Sequence, residues 1–140
     1  AFALWRYRAA WLLSLAAFAG AMALFNLAGL ALADTRAQYP EAWAAIGGAV
    51  LMATAFAQMS AGILLKRRFG GQLAWPLYAA AGAAALPAIW GALPYNGPLA
   101  AMVLAAAALA ALLASAEERQ PLAWLSVLLA TGGALLLHRW

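Results

Sequence analysis

The residues able to carry chemistry are few in this chain, and their spacing argues against most reactions. The acids are Asp34, Glu41, Glu117 and Glu118, the single histidine is His138, and cysteine is absent. Without thiols there is no disulfide, thiolate metal site or thiol redox couple. One imidazole beside Arg139 cannot build a bis-histidine haem site or a multi-ligand metal centre, so His138 reads as a helix-end residue. The hydroxyls of Ser14, Thr54, Ser60, Ser115, Ser126 and Thr131 have no adjacent His or Lys to activate them. Gly70-Gly71 is a lone pair after cations and reads as a turn, not as a phosphate-cradling loop. All four acids fall in predicted connections, so no acid is expected at depth to carry a proton or balance a cation. The expectation is a chain that is not an enzyme, with no catalytic residue, no cofactor and no metal.

What remains is a small polar set, Asn26, Thr54, Gln58 and Ser60, with Pro87 inside an apolar run and the basic group Lys66-Arg67-Arg68. Asn26, Thr54, Gln58 and Pro87 are candidates for helix packing or for lining a path for a neutral solute. Pro87 lacks an N–H, so it predicts a kink and a free carbonyl at residue 83.

The elements that position these residues follow from composition. Of 140 residues, 69% are hydrophobic and 9% charged, too little polar surface for a water-soluble globule. Apolar runs near the ~20 residues that cross a bilayer recur along the chain. Five helices are predicted, at about 10–33, 42–65, 73–93, 98–115 and 122–138, forming one up-down transmembrane domain over residues 1–140. The first run is too long for the apolar region of a cleavable signal. The connections are DTRAQYPE (34–41), KRRFGGQ (66–72), PYNGP (94–98) and AEERQP (116–121), with Pro40, Pro98 and Pro121 at helix starts.

Placing the N-terminus in the cytoplasm puts Arg6, Arg8, Lys66, Arg67, Arg68 and Arg119 inside and leaves Arg36 and Arg139 outside, with the C-terminus. Lys66, Arg67 and Arg68 are therefore expected to fix topology and to attract lipid headgroups. A formal charge of +4 split between two faces makes no phosphate-tracking stripe, so nucleic acid is not expected as a partner. Trp5, Tyr7, Trp11, Tyr39, Trp43, Trp75, Tyr78, Trp90, Tyr95, Trp124 and Trp140 fall near predicted helix ends, as an interfacial belt would. The alanine-rich composition is compatible with a bacterial inner membrane.

Within lipid, helices associate through small residues and side-chain hydrogen bonds. Ala19, Ala23, Asn26, Gly29 and Ala33 share a face of the first helix, and Gly47, Thr54, Gln58 and Ala61 share one of the second. These faces are expected to meet each other or a third helix and to satisfy the amides of Asn26 and Gln58.

The stretch from Leu64 to Trp140, with Glu117-Glu118-Arg119 before a last helix that contains Gly132-Gly133, resembles the end of one EamA-type repeat of the drug/metabolite transporter superfamily. The glycine that precedes the acid in that family's turn is missing, and no binding residue transfers. The resemblance implies a half-size transporter, moving a small or lipid-linked solute, that needs a second, inverted unit. The residues themselves point to a non-catalytic polytopic subunit whose partners are membrane lipids and other integral membrane proteins.

Overall fold

The computed structural model describes the backbone of residues 2–71 and 74–139, with side chains except those of residues 2–7 and 35. The side chains of Trp5, Arg6 and Tyr7, together with Gln72 and Trp140, lie outside the described residues. Among the described residues, six helices follow one another: α1 (Phe2–Ala31), α2 (Ala33–Gln38), α3 (Pro40–Phe69), α4 (Trp75–Ala92), α5 (Asn96–Glu117) and α6 (Gln120–His138). Four of them, among the described residues, are long and apolar enough to cross a membrane: α1 from Arg8 onward, α3, α5 and α6. In lipid a helix satisfies its own backbone, which is why apolar sequence of this length folds as an all-helical membrane bundle.

The breaks between helices have local causes. Pro40 opens α3 where its missing N–H is harmless, and Tyr39 before it is extended at φ −133°. Gly70 ends α3 at φ +89°, a conformation open to glycine, and its N–H returns to the Lys66 carbonyl at 3.0 Å. Glu118 takes the left-handed conformation (φ 52°) between α5 and α6, and Pro121 starts α6. That connection is shorter than the expected loop 116–121. Two other expected loops are helical. Residues 34–41 contain α2, which continues from α1 through the Leu32 turn with Arg36 N–H bonded to the Leu32 carbonyl. Lys66, Arg67 and Arg68 form the last turn of α3, where basic side chains complement the negative helix end.

Helix α4 is the hub. It packs against α1, α3 and α5, whereas α6 packs on α5 alone among the described residues. Ala81, Ala84, Ala88 and Ala92 of α4 are all but inaccessible and meet Leu51, Met52, Ala55 and Met59 of α3 and Met102 and Leu109 of α5 in one apolar cluster. Alanine on α4 lets three neighbours approach closely, and methionine fills the remaining irregular gaps. The α5–α6 pair is also tight. A Cβ on Gly133 would stand 2.7 Å from Leu104 Cγ, and Ser126 donates across to the Ala107 carbonyl at 2.9 Å.

Helix α1 does not use the face that the small-residue pattern suggested. Its buried stripe is Ala10, Ser14 and Ala21, continued by the half-buried Ala17, Phe25 and Ala28. Ala19, Ala23, Asn26 and Ala33 are exposed, and Gly29 is half-buried. The larger side chains decide this: Met22 and Phe25 pack against the core, and α1 turns to place them there. On α3 the buried stripe runs Gly48, Leu51, Ala55, Gln58 and Gly62, so Gly47 and Gln58 are buried while Thr54 and Ala61 fall at its flank.

Candidate functional site

At the end of the bundle where α3 finishes and α5 turns into α6, a polar cluster is built from three helices. Gln58, Gly62 and Lys66 follow one another at four-residue spacing on α3, so they share one face. Lys66 turns inward. Its Nζ donates to Glu117 Oε1 at 2.9 Å and to the Ala116 carbonyl at 2.9 Å. The last carbonyls of a helix have no partner within it, so Lys66 of α3 caps the C-terminus of α5 and meets its dipole. The Lys66 side chain is 32% exposed and that of Glu117 only 11%. The sequence-based expectation that every acid sits in a solvated connection therefore fails at Glu117, the last residue of α5. Asp34 and Glu41 also lie in helices, in the first turns of α2 and α3, where acids complement the positive helix end.

Tyr78 of α4 closes this cluster over Gly62. It is 4% exposed and belongs to the core, although its position near a helix start suggested the interfacial belt. Its Oη is buried with no hydrogen bond of acceptable geometry, while the Glu117 carboxylate is near enough to act on the phenol electrostatically. One turn deeper on α3, Gln58 is 7% exposed and its Oε1 has no partner. The expectation that helix contact satisfies this amide is thus not met for its oxygen. Trp75 stands edge-on to Tyr78 at 5.8 Å, and the Arg119 guanidinium lies over Trp75 at 5.8 Å. Arg67 and Arg68 are exposed.

The opposite end holds the crevices. Between the α1–α2 arm and α3, a cavity of about 370 Å³ is lined by Asn26, Gly29, Leu30, Ala33, Arg36 and Trp43, with Phe25. A second of about 260 Å³ shares Phe25, Arg36 and Trp43 and reaches Gly48 and Leu51 of α3 and Pro87 and Gly91 of α4. A shallower groove of about 760 Å³ lies where α3, α5 and α6 meet, beside Tyr39, Glu41 and Tyr95. Asn26 is exposed on the first crevice, and its Nδ2 donates to the Met22 carbonyl of its own helix at 2.9 Å, not to a neighbouring helix as expected. Thr54 likewise bonds back to Leu51 at 2.7 Å. Pro87 is exposed inside α4. Asn26, Thr54 and Gln58, candidates for helix packing or for a solute path, line no common cavity among those described, because α1 is rotated away and Gln58 lies at the other end.

The pairing of Lys66 with Glu117 is the part of the polar cluster that sequence reasoning missed. The available signal was a cation and an acid ending two helices on the same side of the bundle. Among the described residues, no group of three metal-ligating side chains gathers. No family model matches the chain, and neither a curated protein nor a solved structure does.

Proposed function

We propose that this chain is a non-catalytic polytopic membrane subunit that packs laterally against another integral membrane protein. The observation that carries the reading is Gly20. It lies in the middle of α1 on an outward face with Ala16, Ala19 and Ala23, and a Cβ placed on it would meet no atom within 4 Å. Glycine inside a helix costs roughly 0.5–1 kcal/mol relative to alanine. Within this chain nothing offsets that cost, whereas close approach of a partner helix would. The one-sided packing of α6, with Trp124, Leu125, Leu128 and Leu135 exposed, agrees with a bundle completed by lipid and partner together.

In this reading five helices cross the bilayer. Helix α4 is the fifth span, with one face packed on α1, α3 and α5 and the other, bearing Leu86 and Trp90, turned to lipid. The Lys66 end faces the cytoplasm, with Arg8, Arg67, Arg68 and Arg119 on the same side and the C-terminus outside. The proposed location is a bacterial inner membrane.

The test is native mass spectrometry of the protein extracted gently from its own membrane, alongside a Gly20→Leu variant. A fixed-stoichiometry complex with a larger membrane protein, lost in the variant while unfolding of the isolated chain is unchanged, supports the subunit reading. A monomer or homodimer carrying a small solute overturns it in favour of transport.

A further inference from the structure

We propose that the crevice between the α1–α2 arm and α3 binds one anionic phospholipid, with its phosphate on Arg36 and an acyl chain along Phe25, Gly29, Leu30 and Trp43. The site does not depend on the subunit reading above. Asn26, Gly29 or Leu30, Ala33 and Arg36 recur at helical spacing, so the arm presents one continuous wall with the cation at its rim. Helical side chains lean toward the N-terminus, which aims Arg36 back down this wall. Arg36 borders both adjoining crevices, and no carboxylate lies within 4 Å of it among the described residues. The other cations are placed differently. Lys66 is held by Glu117, Arg119 lies over Trp75, and neither they nor Arg67 and Arg68 border a described cavity.

Small residues keep the space open. Gly29 stands against the Trp43 indole, where a Cβ would be at 3.4 Å, and Phe25 packs on Trp43 at 5.5 Å to form an aromatic wall. A guanidinium at the rim selects phosphate, which it can hold with two parallel N–H bonds. The walls below it are apolar, so the ligand must carry hydrocarbon. A free anion would leave those walls unfilled, and in a zwitterionic lipid the phosphate is already balanced by its own ammonium group, which the Arg36 guanidinium repels.

The experiment compares purified, delipidated protein reconstituted in nanodiscs of phosphatidylglycerol or phosphatidylcholine. Retained lipid is read by native mass spectrometry after release, and contact by quenching of tryptophan with chain-brominated phosphatidylglycerol. The expected result is one phosphatidylglycerol adduct. Arg36→Gln should lower its retention by about tenfold, the order expected for loss of a charge-assisted pair. Arg36→Lys should keep most of it, and Arg139→Gln should leave it unchanged. Gly29→Leu, which fills the crevice with Arg36 intact, should also release the lipid, and it should remove the same increment of quenching as Trp43→Phe, leaving that of the exposed Trp11, Trp75, Trp90 and Trp124. An adduct insensitive to Arg36 and Gly29, equal retention of phosphatidylcholine, or stabilisation by inorganic phosphate alone equal to that by lipid would overturn the proposal.

Discussion

Gly62→Ala probes the joint between α3 and α4 at the polar cluster. The added methyl would stand 2.6 Å from Tyr78 Cε1 and 2.9 Å from Cδ1, with the Ala74 carbonyl oxygen at 3.3 Å. Carbon–carbon contacts settle near 3.5–4.0 Å, so ring and methyl must separate by about 1 Å. Tyr78 cannot give that room freely, since it is buried in the core and held edge-on by Trp75. Overpacking of this kind costs roughly 1–3 kcal/mol. Alanine returns about 1 kcal/mol through helix propensity, so the net loss is up to about 2 kcal/mol, toward the upper end because the ring is confined on both sides. Gly82→Ala on α4 is the internal control: no atom lies within 4 Å of its Cβ position, so it should gain stability by up to about 1 kcal/mol. Gly48→Ala should fall between them, because it meets the flexible end of Met102. The assay is reversible unfolding in mixed micelles against rising dodecyl sulfate, followed by far-UV circular dichroism. Equal stability of Gly62→Ala and Gly82→Ala would refute the packing argument.

Lys66→Met leaves the Glu117 carboxylate largely buried without a cation and uncaps α5, whereas Glu117→Gln leaves Lys66 on the Ala116 carbonyl; the first should cost more, about 1–2 kcal/mol by the same unfolding assay. The double variant should recover part of the Lys66→Met loss, measured as a coupling in the cycle. Gln58→Met removes a buried oxygen that has no partner, so it should be neutral or stabilising by up to about 1 kcal/mol, against the destabilisation expected if that oxygen were bonded. Glu118→Gly relieves a left-handed backbone at the α5–α6 turn and should raise stability by about 0.5–1 kcal/mol; a loss would mean that the Glu118 side chain holds the turn.

The existence of the long helices was legible in the sequence because lipid leaves an apolar segment no other way to bond its backbone, and because Pro40, Pro98 and Pro121 punctuate the runs. Helical phase was not legible. On α1 the stripe Ala19, Ala23, Asn26 and the stripe Ala10, Ser14, Ala17, Ala21 are both small, so small-residue spacing alone cannot choose between them. Tertiary packing chose, by burying Met22 and Phe25 on α4 and α3, and this turned Asn26 and Arg36 onto a crevice. The sequence separated the basic end from the other, since charges are excluded from hydrocarbon. That Lys66, and not Arg67 or Arg68, reaches Glu117 depends on which face α3 presents to α5, a rotation that only the packed core sets.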